Sequence, residues 1–513
     1  MAQPAGSYPV VVVGSGPGGL QVAAELKALG VHHAVISADP APGGMFRRWP
    51  HFQRLLSWTK PYVTDDLGDP LAERADWNSL LTELPDARGL QRGFLDGTSS
   101  FPSRAEMEAN LVAFAERAAG DVRYDCAWQA TRLVEDPDGT RFVLETQGGE
   151  YRARHVVMAV GVAEPWSPPT PGIELATSYA DVGPAPQYKG QRVLIIGKQN
   201  SGFELASGML PWARSLALVS PSPTSLSVVT KTLVGVRARY LQPFEDAVLG
   251  GGVTILDASL ERIERTADGS LAVHLRRAGP GDPLVAEVDA VVAATGFQTP
   301  LRDLPSLGVA VTGQSRLPVQ TSWWESATLP GIHFAGTITQ GARGLRRHGV
   351  PSNSGAVHGA RYNARLLARR LAGLVDGRVV DQPLVAHDAA VDLITRELTT
   401  SPELFHQRGY LARVLASDAA GGLRDEGTQP LTHVLDAGGS DAVAVTLEAD
   451  GSGSIYPVLF TRIGDATAEH VLDADPRLRY DGDETRKAIA SVLQRLSRGG
   501  TQRPKAGSAG GVS

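Results

Sequence analysis

The chain contains very little cysteine: among its 513 residues there is one, Cys126. A single thiol excludes an intramolecular disulfide and a redox Cys-x-x-Cys pair, and with them dithiol-reductase chemistry carried by this chain alone. Cys126 lies in the strand-like stretch VRYDCAW, so we expect a packed small hydrophobe rather than a nucleophile.

Long apolar runs and a strong charge of one sign are also missing. No apolar run reaches the roughly 18 residues of a membrane span, and no basic segment precedes the first apolar stretch, so neither a membrane helix nor a signal peptide is predicted. The net charge of −6 gives no reason to expect nucleic acid or an anionic membrane as a partner. With 42% hydrophobic and 20% charged residues, the composition is typical of a globular cytoplasmic enzyme.

An internal repeat is what the sequence does contain. One copy runs from Val10 to Gly161 and the other from Val193 to Phe297. Each copy has an apolar strand, a glycine turn, an amphipathic helix, a strand meander and a last strand that ends in small residues. This order predicts an α/β protein with two Rossmann-like dinucleotide-binding domains.

The first glycine turn lies in VVVVGSGPGGLQVAAEL, directly between a buried-strand pattern and a helix pattern. In such a turn Gly14 permits the tight bend, Gly16 lets a pyrophosphate approach the backbone, and Gly19 allows the helix to pack closely on the strand. The start of the helix then faces the phosphates. The flanking pattern is the one that a dinucleotide site requires.

The second strand of this copy, in HHAVISADPAPGG, is expected to end in a residue that binds the ribose hydroxyls. Ser37 and Asp39 are both candidates, and a loop aspartate without a ligand is an equal alternative. Gly43 and Gly44 then let the chain turn under a flavin or a ribose.

The second turn, GKQNSGFE, carries Gln199 where the middle glycine is usual. Gly197 and Gly202 keep the bend and the close packing, while Asn200 and Ser201 add polar groups. The Gln199 amide either donates to a phosphate or covers an unused site. No acid follows the next strand, and Lys231, Arg237 and Arg239 come later, a pattern that favours NADPH over NADH, with plain surface cations as the alternative.

Several stretches resemble the family of FAD-dependent oxidoreductase domain-containing proteins, a relative of the flavin-containing monooxygenases. These stretches are RLLSWTKPY, ADWNSLL, FPSRAEMEANLVAFAE, KGQRVLIIGKQNSGFELA, GIHFAGT and SGAVHGARY. The likeness runs from about Tyr8 to Arg365 and more loosely to Leu496. It implies an FAD domain formed by residues 1–165 and 295–380, and an inserted NAD(P)H domain at 166–294. A small C-terminal α+β region at 381–497 and a disordered tail at 498–513 complete the predicted organisation.

The resemblance also implies roles for single residues. Gly336 and Thr337 match the turn that touches the flavin ribityl chain or pyrophosphate. Ser354, Gly355 and His358 match the helix start that points at the flavin pyrimidine ring, where free N–H groups favour the anionic reduced flavin. For His358, a capping or core role is an equal alternative.

Two departures from the monooxygenase pattern are evident. Such enzymes usually place an asparagine near the flavin C4a position in a stretch comparable to LLSWTKPY; here Ser57, Thr59 and Lys60 occupy it. The F-x-G-x-x-x-H fingerprint is also missing, because PTPGIELATSY has Gly172 but Ala176 in place of the histidine. We take Ser57, Thr59 and His358 as the candidate catalytic residues.

The predicted function is an FAD-dependent, NADPH-using monooxygenase that oxygenates a nitrogen or sulfur centre of a small molecule through a C4a-hydroperoxyflavin. The alternatives are an FAD-dependent oxidase or dehydrogenase with a degenerate NADPH site, and a non-catalytic flavin-bound protein that binds partners. Three arginines and a histidine in QGARGLRRHGVPSNSG, residues 340–355, suit an anionic substrate or the nicotinamide phosphate. A homodimer stays open.

Overall fold

The structure is a computed structural model that describes residues 3–48, 54–137, 139–222, 252–279, 281–342, 352–378, 381–418, 422–436, 438–450 and 452–501. Within it are three main sheets, which we call the N-terminal, middle and C-terminal sheets. Among the described helices, none combines the length and the apolar character that crossing a bilayer requires.

The N-terminal sheet is parallel at its centre, with the strand order β2–β1–β5–β17. An antiparallel meander of β3 and β4 continues from the first half of β5. Residues Val10–Val13 of β1 are buried on both faces, as expected for a parallel strand covered by helices on either side. The strands are β1 (Gly6–Val13), β2 (His33–Ile36), β3 (Trp128–Leu133), β4 (Phe142–Thr146), β5 (Gly149–Met158) and β17 (Ile332–Phe334).

The middle sheet repeats this plan, with the order β12–β11–β10–β9–β8–β13–β7. Strands β10, β9, β8, β13 and β7 are parallel, and β11 and β12 form the antiparallel meander. The strands are β7 (Thr177–Ser178), β8 (Arg192–Ile196), β9 (Ser215–Ser220), β10 (Val253–Arg265), β11 (Leu271–Arg277), β12 (Leu284–Val288) and β13 (Ala290–Ala293). Two short pairs lie outside the main sheets, β6 (Glu164–Pro165) with β14 (Phe297–Gln298) and β15 (Val311–Thr312) with β16 (Leu317–Pro318).

The C-terminal sheet is antiparallel, with the order β18–β20–β19–β21–β22–β23. Its strands are β18 (Leu384–Val385), β19 (Leu411–Ser417), β20 (Leu423–Pro430), β21 (Ala442–Ala449), β22 (Ile455–Ile463) and β23 (Ala466–Val471). The predicted fold class, two Rossmann-like domains and a small α+β region, is confirmed. The predicted boundaries near residues 165, 294, 380 and 497 stay predictions.

Nine helices connect and cover these sheets in the described part of the chain. They are α1 (Pro17–Ala28), α2 (Pro70–Ala75), α3 (Arg104–Phe114), α4 (Asn200–Met209), α5 (Val357–Asp376), α6 (His387–Thr400), α7 (Pro402–His406), α8 (Leu431–Asp436) and α9 (Asp483–Thr501). The longest, α5, packs against α1 under the N-terminal sheet. Its buried residues belong to the same apolar core as β1 and α1, so the start of α5 is fixed relative to the first glycine turn.

Candidate functional site

The first glycine turn has the geometry that the sequence predicts. Gly14 has φ = +112°, a conformation that side-chain-bearing residues rarely adopt, and a Cβ there would collide with the carbonyl of Ala159. A Cβ on Gly19 would overlap the carbonyl oxygen of Gly14, which explains why the helix can lie so close to the strand. The turn therefore depends on these glycines for its shape.

Gly16 differs from its neighbours because a Cβ at this position would meet no atom within 4 Å. Open space lies in front of this backbone, while the chain closes around it on two sides. A Cβ on Gly44 would lie 3.2 Å from the Cα of Gly16, and a Cβ on Gly18 would collide with the backbone of Gly336. The result is a backbone cradle, open at Gly16, that fits a pyrophosphate.

The second turn has the same backbone arrangement. Gly197 has φ = +124°, and a Cβ there would collide with the carbonyl of Ala294, as Gly14 would with Ala159. A Cβ on Gly202 would overlap the carbonyl oxygen of Gly197, as on Gly19 with Gly14. Gln199 is the exposed N-cap residue of α4, and its side chain makes no capping hydrogen bond. The turn thus keeps its shape without the middle glycine.

Within the described residues, three helices that follow a defined N-cap begin without a capping side chain or an acidic residue in the first turn. They are α1 after Gly16, α4 after Gln199 and α5 after Ala356. By contrast, α2 is capped by Asp69 and α3 by a full capping box at Ser103. Uncapped N–H groups and the positive end of the helix dipole favour an anion. The starts of α1, α4 and α5 therefore suit phosphates or an anionic ring.

The residues predicted to bind the first ribose lie at the turn. The hydroxyl oxygens of Ser37 and Ser15 are 2.8 Å apart, and Ser37 Oγ accepts from the backbone N–H of Asp39 at 3.2 Å. The Asp39 carboxylate accepts a hydrogen bond from Arg48 at 2.7 Å. Ser37 is buried and tied to the turn, whereas Asp39 is held by a cation; which of them binds ribose stays a prediction.

An ion pair between a buried lysine and an exposed aspartate marks the equivalent place in the second copy. Lys198, directly after Gly197, extends its fully buried side chain to the carboxylate of Asp257 on β10. Asp257 is the Cα partner of Ser220, the last residue of β9. The acid that is missing at the end of β9 is therefore present one strand further out, already neutralised by a lysine.

Ser57 and Thr59 lie in a buried polar cluster with the DWNSLL stretch. Ser57 Oγ donates to Asn78 Oδ1 at 2.5 Å, and Thr59 Oγ1 donates to Asp76 Oδ1 at 2.9 Å. The Asn78 amide in turn donates to Thr59 Oγ1 and to the Ser57 carbonyl, at 3.0 and 3.2 Å. An asparagine is thus present beside the stretch where the sequence pattern lacks one, supplied by a different segment.

His358, in the first turn of α5, lies in an aromatic cluster. The centroid of its ring is 4.5 Å from that of Trp77 and 5.4 Å from that of His406. The ring of Trp77 is in turn 4.2 Å from that of Trp58. Burial, with smaller contributions from Arg361 and a second arginine, lowers the pKa of His358 to about 3, so this imidazole is neutral near pH 7. His358 Nδ1 and His406 Nε2 are both buried without a hydrogen-bond partner in the described structure.

The other predicted residues of the FAD turn and helix start are placed as follows. Gly336 begins the short 3-10 helix Gly336–Gly341, and Thr337 Oγ1 would lie 3.4 Å from a Cβ on Gly161, at the turn after β5. Ser354 is fully buried in a hydrogen-bond network, whereas Gly355 is exposed.

Some predictions fall outside the described residues. These are the cations Lys231, Arg237 and Arg239, most of the arginine-rich stretch 340–355, and the tail beyond residue 501.

Gly18, Asn78 and Lys198 are not among the residues predicted from sequence. Asn78 had a signal, the polar run D-x-N-S between apolar residues in DWNSLL. Gly18 is hidden in a run of glycines, and the partner of Lys198 comes from a strand about 60 residues away, which no local pattern specifies.

Comparison with known proteins agrees with these features. The model of the family described as pyridine nucleotide-disulphide oxidoreductase matches residues 100–336. A ferredoxin–NADP reductase of Salinispora arenicola is 30% identical over 338 residues, which cover 64% of this chain and 86% of that protein. The chain belongs to the pyridine nucleotide-disulphide oxidoreductase family. It is an FAD-dependent oxidoreductase, and its cofactors are FAD and NADPH.

A second relative carries the resemblance noted from sequence. The mouse protein named FAD-dependent oxidoreductase domain-containing protein 2 is 33% identical over 275 residues, 52% of this chain. The match covers only 40% of the mouse protein, so the chain spans about two-fifths of that relative's length.

The fold is also found in a solved structure of a flavin monooxygenase from Stenotrophomonas maltophilia, in a mutant form. The two chains are 21% identical, with a TM-score of 0.53, over 72% of this oxidoreductase and 99% of the monooxygenase.

Proposed function

We propose that this oxidoreductase is an NADPH-dependent monooxygenase that oxygenates a nitrogen or sulfur centre of a small molecule. The observation that carries the proposal is the buried cluster of Ser57, Thr59, Asp76 and Asn78 beside the neutral His358. This cluster adjoins the uncapped start of α5 and is shielded from solvent, as an oxygenating site must be.

The glycine cradle would hold FAD. The pyrophosphate would lie in the open space over Gly16, with Gly336 and Thr337 beside it, and the N–H groups at residues 354–358 would face the pyrimidine ring. Bound FAD supplies the capacity to accept a hydride and to react with dioxygen, and the protein supplies its position.

The second turn would hold NADPH. Gly197 and Gly202 shape the loop, while the exposed amide of Gln199 and the polar groups of Asn200 and Ser201 are available to the pyrophosphate at the uncapped start of α4. Arg237 and Arg239 remain proposed contacts of the 2′-phosphate.

In the buried cluster, Ser57 and Thr59 would act through Asn78. Their hydroxyl groups fix the amide on both sides, so that its plane cannot rotate. His358 stays neutral near pH 7 and would offer its unpartnered Nδ1 as a hydrogen-bonding group to the substrate or the flavin. These roles extend the proposed catalytic set of Ser57, Thr59 and His358 to Asn78.

The proposed substrate is anionic. Arg74 and Arg408 lie on the ring of Phe405, with their guanidinium carbons 4.1 and 5.0 Å from its centroid. Within the described residues, Arg74 donates to the carbonyl of Thr399 and Arg408 to that of Phe405, neither to a carboxylate, and Arg408 Nε is buried without a partner. Burial, together with the charge of Arg74, lowers the pKa of Arg408 to about 10. Phe405 contacts His406, which is next to His358, so a carboxylate here would lie close to the buried cluster.

The test is the fate of the oxygen and of the NADPH electrons. Purified protein is supplied with NADPH, isotopically labelled dioxygen and a panel of amines and thioethers, each with and without a carboxylate. We expect labelled product from an anionic member, with NADPH consumed in equal amount. Release of hydrogen peroxide alone, with no labelled product from any member, would contradict oxygenation.

A second candidate function is an NADPH-dependent reductase that passes electrons onward without oxygenating a substrate. The observation that favours it is the 30% identity to a ferredoxin–NADP reductase along 86% of that protein. Rapid electron transfer from NADPH to a one-electron acceptor, with no labelled product, would support this candidate.

A further inference from the structure

The start of α5 is held by one side chain of the C-terminal segment, by which we mean residues 381–497, and that side chain is Gln407. Gln407 follows α7 directly, and its side chain is fully buried. Its Oε1 accepts from the backbone N–H of Asn353 at 2.9 Å. Its Nε2, with two hydrogens to donate, lies within hydrogen-bond distance of Ser354 Oγ, Asn363 Oδ1 and the Gly359 carbonyl, at 3.1, 2.7 and 3.2 Å.

These bonds connect Gln407 to the first glycine cradle. Asn363 Nδ2 donates to Ser354 Oγ at 2.9 Å and to Thr339 Oγ1 at 3.3 Å. Thr339 Oγ1 in turn donates to the carbonyl of Gly336, which packs against Gly18. A continuous chain of buried polar groups therefore runs from the C-terminal segment through the start of α5 to the cradle.

The side chain of Asn353 adds a second link at the same place. Asn353 Nδ2 donates to the carbonyl of His406 at 2.5 Å. Asn353, which precedes α5, is thus bound to residues 406 and 407 through both its side-chain amide and its backbone N–H. With Ala356 as N-cap, the helix has no capping side chain of its own. Its first turn is therefore oriented from outside, by the C-terminal segment.

We propose that Gln407 is a positioning residue of the flavin site, through which the C-terminal segment sets FAD affinity and the ease of flavin reduction. This inference rests on the proposed placement of the flavin ring at the start of α5. A helix start stabilises negative charge on the ring only when its N–H groups point at it, and the effect falls off within the first turn. Gln407 fixes that aim with both an acceptor and a donor in a dry environment, where a lost partner leaves buried groups unsatisfied.

The experiment compares wild type with Gln407→Met, which keeps the side-chain length and removes every hydrogen bond. FAD affinity is measured from flavin fluorescence, and the flavin reduction potential against a reference dye. We expect FAD affinity to fall at least tenfold and the potential of the remaining bound flavin to become more negative. The matched control is Gln429→Met in β20, where the amide donates only to Glu426; it should change neither quantity.

A second variant covers the case in which Gln407→Met does not fold. Asn353→Ala removes the bond to the His406 carbonyl and leaves Gln407 in place, so it should shift both quantities in the same direction, by less. Wild-type affinity and potential in a folded Gln407→Met protein, or in Asn353→Ala if only that one folds, would overturn the inference alone. A wild-type protein that takes up no FAD would instead overturn the proposed site, and the inference with it.

Discussion

At the scale of single residues, glycines in the same turn have different roles. A side chain on Gly14 or Gly19 collides with the protein's own backbone, so these two residues are required for the shape of the turn. A side chain on Gly16 collides with nothing and projects into open space. Only the last position separates cofactor binding from folding.

Gly16→Val should therefore give a folded protein without flavin, because the branched side chain fills the space proposed for the pyrophosphate. The matched control is Gly93→Val, another position where a Cβ would meet no atom within 4 Å, away from the turn. Absorbance of the purified proteins and their circular dichroism provide the comparison. A yellow Gly16→Val protein with full flavin occupancy would refute the assignment.

Gln199 is the second residue whose change is informative. Its exposed side chain at the uncapped start of α4 is free to donate to a phosphate, a contact worth roughly 1–2 kcal/mol. Gln199→Ala should thus weaken NADPH about tenfold, whereas Gln199→Gly should leave flavin reduction intact or tighten the nucleotide. Anaerobic flavin bleaching is followed against NADPH concentration. If NADPH does not bleach the flavin of the wild-type protein at all, Gln199 blocks the NADPH site. That result would favour the alternative function of an FAD-dependent oxidase.

At the scale of elements, the helix starts decide where anions bind. Helices α5 and α6 both begin after an alanine in extended conformation, Ala356 and Ala386, and neither alanine offers a capping group. Their surroundings differ, since α5 adjoins the buried cluster and α6 covers the C-terminal sheet. The same substitution at both positions isolates the effect of the flavin.

Ala356→Asp and Ala386→Asp should each stabilise the flavin-free protein by about 1 kcal/mol, because aspartate caps a helix start well. Only Ala356→Asp should weaken FAD and make the flavin harder to reduce, since it takes up N–H groups and adds negative charge next to the ring. Thermal unfolding of the apoproteins and potentials of the loaded proteins are the measurements. Equal potentials in the two variants would mean that the flavin does not face α5.

At the scale of elements, the sequence predicts local turns but not the contacts between distant segments. Both glycine turns could be predicted because Gly14–Gly19 and Gly197–Gly202 carry a local constraint within six residues. The placement of Asn78 beside Ser57, and of Asp257 beside Lys198, results from tertiary packing of distant segments. Gln407 left no sequence signal, because a buried glutamine in a loop has no periodic pattern, and its partners are 44 to 54 residues away.

At the scale of the whole molecule, the C-terminal segment is part of the core that supports the first glycine cradle. Tyr410 and Leu411, where β19 begins, belong to the apolar core shared by β1, α1 and α5. The indole N–H of Trp324 donates to the hydroxyl of Tyr410 at 2.7 Å. By contrast, Leu459 on β22 belongs to a separate core under α6 and α9.

Leu411→Ala and Leu459→Ala remove the same fully buried side chain from these two cores. Each should cost about 2–5 kcal/mol of folding stability, so the two variants can be matched in thermal unfolding. Only Leu411→Ala should also speed FAD release, several-fold at least, since its cavity opens beside α5 and loosens the helix start that faces the ring.

Flavin fluorescence after dilution gives the release rates, and hydrogen exchange of α5 in the loaded proteins shows where each variant loosens. Equal release rates in variants of equal stability would mean that the C-terminal segment supports the fold but not the cofactor site. A faster rate in Leu411→Ala alone, with faster exchange at the start of α5, would place the C-terminal segment within the flavin site.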